Sequence, residues 1–298
     1  MKSGDLAIGI FFLSQTALGI LGNLALLCCF LMSTFSVNRV RPTDVIVKHL
    51  TWANIVVLLC KGIPKTMVAF DQTYSLDIIS CKLLFYFHRV ARGVSIGCTS
   101  LLSVFQAITI SPHTSKWAQL KVRLHRIIGP SLGLCWAFYL FLNIVIIEGV
   151  TNMRNKGNLT EFRDFLYCLI IKLPKQTSIE LAILLVTSDV MCLGLMIWAS
   201  GSMVLILFKH KQRVQHIHRS LSSKSFPETK ATQSILILVS SFVVLYVTSA
   251  TLTMYFPFQD GGGTWVANAN VAMSASFPAV CPFLLIRHYT SNFHPYST

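Results

Sequence analysis

Long apolar stretches separated by short polar connections set the rhythm of this chain. About 20 apolar residues suffice to cross a bilayer as a helix. Seven stretches reach that length, at residues 6–32, 45–64, 82–110, 127–147, 179–208, 235–256 and 265–286. The third is the weakest by hydropathy, and the second is interrupted by His49 and Asn54. The pattern predicts an all-α, seven-helix membrane bundle forming a single domain over residues 1–298.

The third stretch organises the rest. His88, Arg92, Ser95, Thr99, Ser103 and Gln106 recur every three or four residues, so they share one helical face. A charged Arg at mid-bilayer costs about 2.5–3.5 kcal/mol even on the lenient insertion scale. That face is therefore expected to turn toward other helices, making this the central post of the bundle. Arg89 adds a second cation beside the stripe.

Composition agrees. Hydrophobic residues make up 53% of the chain and charged residues 12%, with mean hydropathy +0.62. Soluble domains carry roughly twice that charge. The net charge of +14 is concentrated in loops at one end. These hold Arg39, Arg41, Lys116, Lys121, Arg123, Arg126, Lys209, Lys211, Arg213, Arg219, Lys224 and Lys230, against Glu228. The opposite loops are mixed or acidic. This asymmetry marks a cytoplasmic face rather than a nucleic-acid surface. It predicts an outside N-terminus, an inside C-terminus, and a first stretch that serves as an uncleaved anchor.

Local chemistry refines the picture. Asn23 is expected to bond a neighbouring helix, as are His49 and Asn54. Thr43 or Asp44 can cap the second helix. Lys61 and Lys65 are expected to snorkel at the outer rim. Cys81 and Cys168 lie outside the apolar stretches on the outer side, where oxidising conditions let such a pair form a disulfide. The other cysteines read as small buried apolar residues, without zinc-site spacing. Asn158-Leu159-Thr160 is a glycosylation sequon in the longest outer loop. Asp189 sits deep in the fifth stretch, at about the depth of Arg89 and Arg92. Two readings stand side by side: an Arg–Asp bridge welding two helices, or charges lining a ligand pocket. Pro278 and Pro282 should bend the seventh helix.

No hydrolase elbow, phosphate loop, dinucleotide fingerprint or zinc-protease motif occurs, so an enzyme is not expected, nor a cofactor or metal. Seven helices, an outer cysteine pair and a basic inner face suit a receptor. The chain resembles the vomeronasal type 1 receptors, a family of G-protein-coupled pheromone receptors, over nearly its whole length. The resemblance rests on Arg41–Asp44, Lys48–Thr51, Gly62–Pro64, His88–Val90, Arg92–Gly97, Leu101–Pro112, Ser131–Trp136, Trp198–Ser200, Lys209–Arg219 and Phe277-Pro278. Ile108–Ser111 stands where rhodopsin-like receptors have Asp-Arg-Tyr, and Phe277–Cys281 replaces Asn-Pro-x-x-Tyr.

The resemblance implies a plasma-membrane receptor of vomeronasal sensory neurons, coupled to a Gi/o-class heterotrimer. It also implies the Cys81–Cys168 disulfide and a glycan on Asn158. A small pheromone-like ligand is expected in the outer half of the bundle, against Phe85, His88, Arg92, Ser95, Asp189, Tyr246 and Trp265. Arg92 would suit a sulfated or carboxylated ligand. Lys121, Arg123, Arg126, Lys209, Lys211, Arg213 and Arg219 are the expected G-protein contacts. The alternatives are a bitter-taste-type receptor and, from another class, a small-solute transporter.

Overall fold

A computed structural model describes residues 3–36, 42–70, 76–111, 118–144, 150–151, 162–165, 168–171, 175–217, 227–255 and 264–293. The described helices form seven rods. The first is α1 (Ser3–Ser36). The second combines α2 (Pro42–Val57), a π-helical turn (Leu58–Gly62) and α3 (Ile63–Phe70). The others are α4 (Ile78–Ile110), α5 (Ala118–Leu142), α6 (Lys175–Ile217), α7 (Pro227–Tyr255) and α8 (Thr264–Phe293). Among the described residues, five rods are long and apolar enough to span a membrane, and α5 and α7 contribute the apolar segments Arg126–Leu142 and Val239–Thr251. Among the five, the lowest mean hydropathy belongs to the second rod at 1.4, below the 1.6 of the third, which corrects the sequence ranking.

Proline explains the irregular second rod. Pro64 cannot donate a backbone hydrogen bond, and its ring crowds the carbonyl of Cys60 four residues back. That carbonyl lies inside the π-helical turn, where the wider helix relieves the crowding. The rod therefore runs on to Phe70 instead of ending at Pro64. At its start, Pro42 takes the first helical position. Thr43 and Asp44 consequently sit inside the first turn, where the Asp44 charge faces the positive end of the helix dipole.

The expected central post is α4. In its membrane-spanning window 72% of residues are buried, against 17% in α6. Val90, Val94, Ile96 and Leu102 of α4 join one core with Leu50, Leu132, Met196 and Phe242 from four other rods. The polar stripe turns inward: His88, Ser95, Thr99 and Ser103 are all buried. Much of it is satisfied within the helix, since Thr99 donates to the Ser95 carbonyl and Ser103 to the Thr99 carbonyl. Ser95 reaches across to Asn54 Oδ1 at 2.9 Å. Trp136 Nε1 donates to His49 Nδ1 at 3.1 Å, tying α5 to α2.

Glycine lets α5 approach α4. A Cβ on Gly93 would lie 2.2 Å from Tyr139 Cδ1, and one on Gly97 would lie 2.4 Å from Cys135 Sγ. The two glycines form a notch of the small-xxx-small kind, which allows helices to pack closely where water supplies no driving force. Tyr139 lies in this notch and extends to Cys192 of α6, with its hydroxyl 3.6 Å from the sulfur.

The seventh rod is one helix despite two internal prolines. Pro282 has no N–H to offer the carbonyl of Pro278. Asn23 of α1 supplies the missing donor, with Nδ2 at 2.9 Å from that oxygen and 2.7 Å from the Gly19 carbonyl. Asn23 is fully buried, so losing the amide would strand an acceptor in the core. Asn23→Leu is expected to cost about 1–3 kcal/mol, read as a lower thermal midpoint of the detergent-solubilised protein. An unchanged midpoint would contradict this account.

Large apolar side chains cover the outside of the rods, including Leu21, Leu134, Phe141 and Met191. Such a surface suits hydrocarbon rather than water. Between α5 and α6 lies a small antiparallel sheet: β1 (Val150–Thr151), β2 (Phe162–Phe165) and β3 (Cys168–Ile171), in the order β1-β3-β2. Phe165 pairs with Cys168 at the end of the β2–β3 ladder, and β1 packs against α4. The hydropathy pattern carried no sign of this sheet.

Candidate functional site

The mid-bundle chemistry begins with an apolar, aromatic run. Phe277 of α8 meets Phe242 of α7 edge-on, with centroids 4.4 Å apart. Phe242 stacks on Tyr246 one turn further along, at 5.7 Å and 10°. The Arg92 guanidinium of α4 lies 4.7 Å above the Tyr246 ring, within cation–π range. Tyr246 donates its hydroxyl to Asp189 Oδ2 on α6. Arg92 and Asp189 are thus joined through a phenol, and one chain of contacts links α4, α6, α7 and α8.

Two cavities flank Arg92. The first is a small cleft bordered by Ser95, Phe242, Tyr246, Ser249 and Phe277. Its walls are mainly apolar, with hydroxyls and the guanidinium as polar points. It lies at mid-length of α4, deeper than the outer-half position expected from sequence. Ser249 Oγ donates to Asn270 Oδ1 at 3.3 Å behind it, holding α7 to α8. The second cavity is polar, bordered by Arg89, Arg92, Tyr139, Asn143, Ser188 and Asp189. Asn143 Oδ1 is buried there without a hydrogen-bond partner.

More positive charge lies close by. Lys61 and Lys65 are 8% and 4% exposed, so they do not snorkel to the rim as expected. The periodicity explains why. Leu59, Ile63 and Met67, four residues apart, take the exposed face and leave the lysines on the opposite one. Lys65 Nζ sits 5.4 Å from the centroid of Phe12. His88 is buried, and its Nε2 has no hydrogen-bond partner. Lys61 experiences the charges of Arg92 and Arg89, as does His88. Arg89 and Arg92 together outweigh Asp189 in the polar cavity that all three border.

The other expected contacts are scattered. Arg92, Ser95 and Tyr246 border the first cavity, and Arg92 and Asp189 the second. Phe85 is half-buried one turn before His88. Trp265 is 66% exposed near the N-terminal end of α8, and it borders a separate groove against α1 rather than the central cavities. Phe242, Ser249, Met273 and Phe277 were missed by the sequence reading, because as apolar or hydroxyl residues they carry no signal that separates pocket from core.

At the entry to α4, the Asp77 side chain caps the helix by accepting from the Ser80 backbone N–H at 3.2 Å. Hydrogen bonds from the Ser80 side chain and backbone hold the Asp77 carboxyl below its usual range. The cap fixes the turn that presents Cys81, which is disulfide-bonded and fully buried. Cys28, Cys29, Cys60, Cys98, Cys135, Cys192 and Cys281 are free thiols. Among the described residues no cluster of His, Cys, Asp or Glu could hold a metal. At the other end, Arg123, Arg126 and Lys209 are exposed. Lys121, Lys211 and Arg213 belong to α5 and α6. Asn158 and Arg219 lie outside the described residues.

Comparison with known proteins gives these features a context. Residues 6–294 match the model of the vomeronasal organ pheromone receptor family. The chain is 47% identical over 287 residues to vomeronasal type-1 receptor 4 of Pongo pygmaeus, covering 96% of this chain and 95% of that one. The Homo sapiens receptor 4 matches at the same identity and coverage. Vomeronasal type-1 receptor 3 of Homo sapiens is 44% identical over 294 residues, covering 97% of this chain and 93% of that one. In structure the chain resembles squid rhodopsin, with a TM-score of 0.71, 15% sequence identity, and coverage of 98% of this chain and 86% of that one. That likeness concerns the fold alone.

Proposed function

The chain belongs to the vomeronasal organ pheromone receptor family, and from that premise we propose that it binds a small anionic, largely apolar ligand and signals through a Gi/o-class G protein. A multi-pass membrane protein with a G-protein-coupled-receptor fold is the frame for this reading. The observation that carries it is the cleft beside Arg92, walled by Phe242, Tyr246 and Phe277. Apolar walls would take the ligand body, and the guanidinium would bind a carboxylate or sulfate in bidentate fashion. Arg89, bordering the adjoining polar cavity, favours negative charge further. Such a ligand shifts the receptor only if it binds the active arrangement more tightly than the resting one. Its point of leverage is the Arg92–Tyr246–Asp189 connection, because this joins rods that would move apart.

The charge asymmetry supports an outside N-terminus and an inside C-terminus. On that reading the G protein meets Arg123, Arg126 and Lys209, together with Lys121, Lys211, Arg213 and Arg219. As the family resemblance implies, Cys81 would pair with Cys168 and Asn158 would carry a glycan. Non-reducing peptide mapping before and after deglycosylation tests both. A free Cys168 or an unmodified Asn158 would refute the corresponding assignment. The site of action is the plasma membrane of vomeronasal sensory neurons.

The functional test uses reporter cells expressing the chain. They are challenged with paired libraries of amphipathic carboxylates and sulfates and their neutral parents. Anionic members are expected to lower cAMP in expressing cells but not in mock-transfected ones, and inactivating Gi/o should abolish the response. Compound uptake without any G-protein signal would identify a transporter instead. A response that survives Gi/o inactivation would overturn the coupling.

A further inference from the structure

The cleft beside Arg92 has an uneven supply of hydrogen-bonding groups. Its polar side chains are Arg92, Ser95, Tyr246, Ser249 and Ser274. A hydroxyl has one proton to give and two lone pairs to offer. Every hydroxyl proton in this set is already given within the protein. Ser95 donates to Asn54 Oδ1, and Tyr246 to Asp189 Oδ2. Ser249 donates to Asn270 Oδ1, and Ser274 to the Val271 carbonyl at 2.9 Å. Apart from the guanidinium, the side chains of the wall therefore offer lone pairs and no spare donor.

The α8 backbone adds to this bias. Pro278 borders the same cleft four residues after Ser274, so the two share one helical face. Pro278 has no N–H to give the Ser274 carbonyl, which lies on the strip of helix between the two side chains. One turn further along, the same deficit is relieved by the protein, because Asn23 donates to the Pro278 carbonyl that Pro282 leaves open. Among the described residues no side chain does this for Ser274. Ser95 and Ser249 are 3% and 2% exposed, whereas Ser274 is half-buried. The acceptors of the cleft thus gather at Ser274, as a carbonyl oxygen and a hydroxyl oxygen of one residue.

We propose that the cleft selects a ligand carrying a neutral hydrogen-bond donor, a hydroxyl, remote from its anionic group, and that Ser274 and Pro278 set this preference. The inference rests on the anion reading of Arg92 and adds the chemistry of the ligand's other end. A hydroxyl donates to Ser274 and gains a bond. A ketone or an ether brings only another acceptor, and must draw the Ser274 proton away from the Val271 carbonyl to gain anything. A protonated amine donates too, but it adds a second cation to a cleft that already holds the Arg92 charge.

The test uses quartets of cyclohexane and decalin carboxylates and sulfates that differ only at the position remote from the charge, which bears hydroxyl, ketone, methyl ether or hydrogen. Potency is read in the reporter cells, and binding as the rise in thermal midpoint of the purified full chain in nanodiscs. Hydroxyl members should exceed their hydrogen counterparts by about fivefold, the weight of one hydrogen bond, and ketone and ether members should be no better than hydrogen. Pro278→Ala restores a backbone N–H for the Ser274 carbonyl, and Ser274→Ala removes the hydroxyl oxygen. Each should narrow the hydroxyl advantage and the two together should erase it, while the preference for anion over neutral parent persists. The midpoint without ligand reports whether each variant is folded, and the quartets on the unaltered chain decide the matter if one is not. Ketones that match the hydroxyls, hydroxyls no better than hydrogen, or an advantage that survives in a folded double variant would overturn this inference and leave the anion reading standing. No anion more active than its neutral parent would overturn that reading, and this inference with it.

Discussion

Arg92→Ala is expected to weaken the response to an anionic agonist by about 30-fold or more. Truncating one side of a buried, hydrogen-bonded charge pair costs roughly 2–5 kcal/mol. Arg92 borders both mid-bundle cavities and is the residue best placed to receive a carboxylate or sulfate. It also rests on the Tyr246 ring, a contact worth about 0.5–2 kcal/mol. Part of any effect could therefore come from loosening α4 against α7. The neutral parent compounds separate the two contributions, because a general loosening lowers their potency as well. Arg92→Lys keeps the charge but loses the planar fork, so an intermediate loss is expected. Equal potency shifts for the anion and its neutral parent, at matched receptor levels, would remove Arg92 from ligand recognition.

Gly93→Ala should damage the fold more than any other single methyl addition near the site. The new Cβ would stand 2.2–2.6 Å from Cδ1, Cε1 and Cγ of the Tyr139 ring. Tyr139 is itself buried and engaged with Cys192, so it has little room to retreat. Overpacking of this kind costs about 1–3 kcal/mol, and more where the backbone must move. The expected result is a sharp fall in folded, detergent-extractable protein and in its thermal midpoint. Gly133→Ala on α5 is the control. Nothing lies within 4 Å of its Cβ position, so a neutral or slightly stabilising effect is expected. Combining Gly93→Ala with Tyr139→Leu should recover part of the loss, since a smaller side chain vacates the notch. Failure of that rescue, or a fully stable Gly93→Ala protein, would contradict the close approach of α4 and α5.

The corrections to the sequence reading share a cause. Lys61 and Lys65 were assigned to the rim because charge is costly in a membrane, but Leu59, Ile63 and Met67 already marked the opposite face as the lipid one. The sequence places Trp265 among the expected ligand contacts, but the structure sets it in the groove between α1 and α8. Whether it faces α4 or α1 depends on how α8 is rotated, and that is set by packing. Asn23 and Asn54 were rightly read as interhelical donors and acceptors, yet their partners could not be named. The carbonyl of Pro278 becomes a target only once α1 lies against the proline-interrupted stretch of α8.

By itself the sequence determined the seven rods, the central position of α4 and the side of it that faces inward. These follow from length, hydropathy and helical period, which are local properties that the bilayer amplifies by penalising every exposed polar group. The tertiary structure alone decided that Tyr246 stands between Arg92 and Asp189, that Gly93 admits Tyr139, and that the lysines of the second rod join the basic interior. Such pairings depend on helix rotation and register, and these are fixed by the summed fit of many weak contacts between residues distant in the chain.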